Sequence, residues 1–182
     1  SLIRTVPETA RKLLREFAVF YRRTLEDSAD LIVFAREMEQ TKRYFTFEVA
    51  RFGADRVEME MRIDPRVEDM LVPPFLLQPL VENAVRHAMP SEGKLTIEVT
   101  GEVTGNDVIV RVCDNGVGMT EEARCNILHP ESSLGLGIAV KNVHDRICGY
   151  FGPGTHMEVE SELGKGTCVI LVLKEGALRE YQ

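Results

Sequence analysis

The sequence has no tryptophan, only 7% aromatic residues and no excess of positive charge. Its 22 Lys and Arg are outnumbered by 29 Asp and Glu, for a net charge of −7. That balance argues against nucleic acid as a partner, because surfaces that neutralise phosphate backbones carry a basic stripe. A single nucleotide is still possible, since backbone amides and one or two cations meet its charge locally. No apolar run approaches the roughly 20 residues needed to span a bilayer, and no signal-peptide pattern opens the chain, so it reads as soluble. The four cysteines, Cys113, Cys125, Cys148 and Cys168, lie far apart with no C-x-x-C pair. This removes zinc and thioredoxin-like chemistry and leaves buried free thiols in a reducing cytoplasm as the expectation. With 182 residues, 44% of them hydrophobic, there is material for one well-buried domain and a short appendage. Ser1 falls inside an interrupted helical pattern, as in a piece of a longer chain.

Thr5-Val6-Pro7-Glu8 carries helix-start signals, and a helix with an apolar stripe from Ala10 to Leu25 should follow. A second amphipathic helix runs from about Phe34 to Phe52, with Phe34, Met38, Thr41, Phe45, Val49 and Phe52 on one side. From Arg56 the period changes to two, and Val57, Met59, Met61 and Ile63 mark a strand. After Pro73-Pro74, a helix to about Met89 buries Leu77, Leu80, Val81, Ala84 and Ala88, and turns Glu82, Asn83, Arg86 and His87 the other way. Lys94–Val103 and Val108–Cys113 form a hairpin around Gly105-Asn106-Asp107. A polar stretch, Thr120 to Ser133, precedes a helix from about Leu136 to Tyr150. Two last strands, Met157–Leu163 and Thr167–Leu173, join at Gly164-Lys165-Gly166. The order predicts an α+β fold, a two-layer α/β sandwich whose mixed, mainly antiparallel sheet is covered by helices.

Three glycine-containing segments stand outside these elements: Asp114-Asn115-Gly116-Val117-Gly118, Gly135-Leu136-Gly137 and Gly164-Lys165-Gly166-Thr167. Each alone is compatible with an ordinary tight turn. A Walker loop is excluded because Gly166 follows Gly164-Lys165 where Ser or Thr is needed. The dinucleotide fingerprint is excluded because Val140 replaces its third glycine. What is left at Gly135 and Gly137 is a pair of glycines at a helix N-terminus, where amides and the helix dipole favour an anion.

Taken in order, Leu80-Val81-Glu82-Asn83-Ala84-Val85-Arg86-His87, Asp114-x-Gly116-x-Gly118, Gly135-x-Gly137-Ile138 and Gly164-x-Gly166-Thr167 closely resemble the boxes of the ATPase superfamily shared by histidine kinases, type II topoisomerases and MutL. The resemblance implies the Bergerat fold with ATP and Mg²⁺ as ligands. It implies Asn83 as the metal residue, since an amide oxygen suits a hard cation that keeps most of its waters. Glu82 would order or deprotonate a reacting group. Arg86 would meet a phosphate charge, and His87 would pack on or bond to the nucleotide. Asp114 would accept the adenine amino group, Gly116 and Gly118 would curve beneath the base, Met119 would form an apolar wall, and Thr167 would complete the floor. Gly135 and Gly137 would meet the phosphates.

The N-terminal third adds Phe17-Ala18-Val19-Phe20-Tyr21-Arg22, Tyr44 to Phe52 and Pro73-Pro74-Phe75-Leu76-Leu77-Gln78-Pro79-Leu80, which resemble LytS-type sensor histidine kinases. On that resemblance residues 1–29 are the remnant of a dimerisation and phosphoacceptor helical region, and 30–182 are the ATP-binding catalytic domain. It further implies γ-phosphoryl transfer to a histidine, passage to a response-regulator receiver domain, and a homodimer through the N-terminal helix. The parent would be anchored in the inner or cytoplasmic membrane with this part on the cytoplasmic side. Three departures stand out. Pro79 replaces an earlier asparagine, as is usual in the LytS-type group. Ala139 replaces a glycine and narrows the approach at the helix start. The first histidine is His87, so the family's upstream acceptor is missing and the piece should not phosphorylate itself; His129, His144 and His156 carry no motif. The competing readings are another Bergerat-fold ATPase, an anti-sigma-type serine kinase, or a degenerate nucleotide-binding or dimerisation module.

Overall fold

Apolar residues at every second position, broken by Gly105 and again at Gly164, build the sheet of the computed structural model, which describes residues 31–127 and 138–174. In chain order the elements are β1 (Ile32–Val33), α1 (Phe34–Phe52), β2 (Val57–Ile63), α2 (Pro65–Glu68), β3 (Leu71–Val72) and α3 (Gln78–His87). They continue with β4 (Leu95–Thr104), β5 (Asp107–Asp114), α4 (Glu121–Asn126), α5 (Ile138–Phe151), β6 (His156–Glu162) and β7 (Gly166–Leu173). The main sheet has the order β2-β4-β5-β7-β6. Only β2 and β4 run parallel; the other three pairings are antiparallel. The predicted mixed, mainly antiparallel sandwich is the observed one.

One face of the sheet presents Leu95, Ile97 and Val99 from β4, Val108, Val110 and Val112 from β5, and Val169, Leu171 and Leu173 from β7, all buried. Against them lie Phe34, Met38 and Phe45 of α1, Leu80, Val81, Ala84 and Val85 of α3, and Val140, Val143 and Ile147 of α5. At about 1.5–3 kcal/mol for each large aliphatic side chain removed from water, this layer is the main stabilising term. Among the described residues no helix is long and apolar enough to cross a membrane.

Helix α1 has the predicted span, but its buried face also contains Glu37, at 0% exposure. Helix α3 begins at Gln78, not Pro74, and ends at His87, not Met89. The late start follows from Phe75, whose φ of 61° is outside the right-handed helical region. A six-residue helix, α4, replaces part of the expected polar stretch, with Thr120 capping it by accepting from Ala123 N–H. Cys113 and Cys168 are register partners on β5 and β7 and are joined in a disulfide, while Cys125 is exposed and Cys148 half-buried. The expected buried free thiols are therefore corrected: direct opposition across adjacent strands brings two of the sulfurs together. The predicted helix from Pro7 to Leu25, the pair Gly135 and Gly137, and His129 lie outside the described residues.

Candidate functional site

The amphipathic stripe of α3 decides which of its residues reach solvent. With Leu80, Val81, Ala84 and Val85 buried, Glu82 and Asn83 are half-buried and Arg86 and His87 exposed. Glu82 accepts from Arg86 one turn along the helix. The cation predicted to meet phosphate is thus engaged by the neighbouring carboxylate, which is what i,i+4 geometry favours for opposite charges. Partial burial, then the adjacent Arg86, hold the His87 imidazole below its usual pKa. It is a neutral ring over more of the physiological range.

Asp114 ends β5 opposite Thr167 of β7, which in turn lies opposite Ser161 of β6. Asp114 Oδ1 accepts from Gly116 N–H at 2.9 Å and from Thr167 N–H at 3.2 Å. Burial pushes the carboxyl above the usual range, and the two N–H groups oppose that shift. Both bonds fall on Oδ1, so neither engages Oδ2. Thr167 Oγ1 and Ser161 Oγ are 2.8 Å apart, and Ser161 Oγ also donates to the Gly166 carbonyl at 3.0 Å and accepts from Met119 N–H at 2.9 Å. Asp114, Thr167 and Ser161 form one row across three strands. Ser161 carries no motif of its own; the register of the final hairpin is the sequence signal that sets it beside Thr167.

The glycines act through contact as much as through conformation. A β-carbon on Gly116 would lie 2.0 Å from the Ala88 carbonyl oxygen, the same oxygen that accepts from Val117 N–H at 3.0 Å. The loop after β5 is pressed onto the C-terminal end of α3. Gly116 is thus placed against α3. Gly118, at φ 64°, passes the Glu162 carbonyl, and Gly166, at φ 93°, passes the Asp114 carbonyl, where added β-carbons would come within 2.0 and 1.9 Å. Asn115 fastens the loop from the other side, accepting from Thr96 N–H at 2.8 Å and donating to the Lys94 carbonyl at 3.2 Å. Met119 follows Gly118 and packs, partly buried, on the core. The site residues that lie in the described chain therefore fall into two connected groups, one on α3 and one along the β5, β7 and β6 ends.

The model of the histidine kinase-, DNA gyrase B- and HSP90-like ATPase family matches residues 75–177, and the Histidine kinase model matches residues 1–57. A sensor protein LytS from Bacillus cereus is 36% identical, with all of this chain aligned to 31% of that protein. The chain thus spans about a third of the length of this relative. Among solved structures, the catalytic domain of histidine kinase ThkA has a TM-score of 0.62 at 18% identity, covering 81% of this chain and 99% of that one. The Acinetobacter baumannii histidine kinase AdeS has a TM-score of 0.60 at 17% identity, covering 97% and 83%. These two likenesses agree on the fold. The chain belongs to the histidine kinase-, DNA gyrase B- and HSP90-like ATPase family, and is an ATP-binding domain of its sensor histidine kinase branch.

Proposed function

We propose that this domain binds Mg-ATP between α3 and the Asp114 row and presents the γ-phosphoryl group to a histidine of the longer protein. The observation that supports the reading is the seating of the Asp114–Gly118 loop on the end of α3, which joins the loop that carries the carboxylate to the helix that carries Glu82 and Asn83. Asp114 accepts the adenine amino group through the oxygen that Gly116 and Thr167 leave unengaged; guanine would present an oxygen to the same carboxylate. Met119 walls the base, Gly118 gives it room, and Thr167 closes the floor. Gly135 and Gly137, which precede α5 in the sequence, would meet the phosphates.

The donors on the described residues fit a magnesium ion held largely by water and phosphate. No group of three or more His, Cys, Asp or Glu is placed among them to ligate a metal, and half-buried Asn83 supplies a neutral oxygen of the kind such an ion takes. Bound there, the ion neutralises charge on the phosphates. Arg86 exchanges Glu82 for a phosphate oxygen when nucleotide arrives. Glu82, so released, orients the attacking imidazole and takes its proton. His87, neutral, bonds to or packs on the nucleotide.

The division at residue 29 is part of this proposal, supported by α1, which packs on β2 and α3 and so goes with the ATP-binding unit. Residues 1–29 would contribute to a homodimer on the cytoplasmic side of the membrane. The receiver domain of a response regulator would take the phosphoryl group from the histidine onto an aspartate. The test adds the preceding residues of the longer protein and looks for acid-labile phosphate after incubation with radiolabelled ATP. Label that Asn83→Ala abolishes is expected; a folded, ATP-binding protein with no label overturns the kinase reading.

A further inference from the structure

The first N–H groups of a helix need partners, and Leu77 provides no side-chain cap for α3. The partner comes from another helix. Glu37 of α1, fully buried, accepts from Leu77 N–H at 2.9 Å and Gln78 N–H at 3.4 Å on Oε1, and from Phe75 N–H at 3.1 Å on Oε2. Arg146 of α5 reaches the same turn from the other side, donating to the Pro74 carbonyl at 2.6 Å and the Phe75 carbonyl at 3.2 Å. Phe75 therefore has its N–H held by a carboxylate and its C=O by a guanidinium. A bulky residue at φ 61° persists only where its surroundings hold it, and these two charges do so.

We propose that Glu37 and Arg146 are positioning residues that clamp the Pro74–Gln78 turn from α1 and α5 and so set the place of Glu82 and Asn83 in the phosphoryl-transfer site. This rests on the site assignment made above. Glu82 is one helical turn beyond Gln78 and Asn83 follows it, with α3 unbroken between them, so a shift of the turn moves both. α5 is the helix whose start follows Gly135 and Gly137. The clamp therefore ties the metal residue's helix to α5. The adenine side is held differently, since Asp114, Thr167 and Ser161 lie in the sheet and the loop after Asp114 meets α3 at Ala88, the end away from the turn.

The test compares Glu37→Ala, Glu37→Gln, Arg146→Met and Arg146→Lys in this chain, reading affinity for a non-hydrolysable ATP analogue by calorimetry in excess Mg²⁺ and in EDTA. Misplacement of the metal residue should cut the Mg²⁺-dependent gain in affinity by about tenfold in Glu37→Ala and Arg146→Met, with partial recovery in Glu37→Gln and Arg146→Lys. Affinity in EDTA should stay within about twofold, because the base pocket is held by the sheet and touches α3 only at the end away from the turn. Equal losses in both conditions, or no loss in either, overturn the positioning role. If Glu37→Ala does not fold, Arg146→Met and Glu37→Gln decide the matter. Asn83→Ala is the control: a Mg²⁺ response intact in that variant withdraws the site assignment and this inference with it. A response lost in Asn83→Ala but kept in all four clamp variants overturns the clamp alone.

Discussion

As the proposed adenine acceptor, Asp114 would combine two demands, burial enough to exclude water from the base contact and ionisation enough to accept strongly. Gly116 and Thr167 N–H meet the second demand, but burial prevails and the carboxyl titrates above its usual range. Since the ionised form accepts the amino group, ATP-analogue affinity should be level at higher pH and fall as pH drops through that raised pKa. Asp114→Asn should weaken binding by about 1.5–3 kcal/mol, roughly ten- to 150-fold, and remove that pH dependence. Calorimetry across pH checks both, and unchanged affinity in the variant rejects the adenine assignment. At Gly116 and Gly166 the obstacle is backbone on another element: Ala88 and Asp114 carbonyl oxygens at 2.0 and 1.9 Å from an added β-carbon. Gly116→Ala should cost about 1–3 kcal/mol by overpacking, and Gly166→Ala more, because its φ of 93° adds backbone strain. Urea unfolding reads both. A Gly116→Ala protein with full stability but lost nucleotide binding would show that Gly116 serves the base contact rather than the seam with α3.

Element by element, what local pattern controls was legible in the sequence. α1 keeps its predicted span because a wide apolar stripe and Gly53 at its end define it, and the hairpin at Gly105 keeps its place because period two breaks there. What depends on a distant partner was not. Glu37 sits next to Met38 and reads as a solvated flank until the N–H groups of 75–78 are brought to it. The same holds for the late start of α3, since Pro74 is a good first helical residue and only the clamp explains Phe75. α4 was legible in principle, with Thr120 as cap and Glu121 and Glu122 in its first turn. The glycine boxes placed Asp114 and Thr167, and their register implies that Cys113 and Cys168 are opposed, a step that spacing along the chain alone does not reveal. That disulfide closes a separation of 55 residues between β5 and β7. Reduction should lower unfolding free energy by about 2–4 kcal/mol, with Cys113→Ser matching it and insensitive to reductant. Identical urea midpoints with and without dithiothreitol would remove the cross-link from the stability of the sheet.

For the molecule as a whole, a net charge of −7 must coexist with a polyanionic ligand. Long-range attraction cannot supply the affinity, so the reading proposed above assigns it to local groups: Gly135 and Gly137, Arg86, and the cation that Asn83 would help to hold. Nucleotide binding to the native state alone stabilises the fold by mass action, about 2.7 kcal/mol at a hundredfold excess over Kd. For a domain of this size each kcal/mol moves the thermal midpoint by about 2–4 °C, so saturation with Mg-ATP should raise it by about 5–11 °C. If the cation bridges Asn83 to the phosphates, EDTA must remove much of that rise, because the uncompensated phosphates then face a negative protein. If Asp114 reads the adenine amino group, Mg-GTP at the same concentration must fail to produce it. Differential scanning fluorimetry in the three conditions separates the terms. Equal shifts for Mg-ATP and Mg-GTP would show that phosphate and metal contacts, not the base, hold the nucleotide, and equal shifts with and without EDTA would show the reverse.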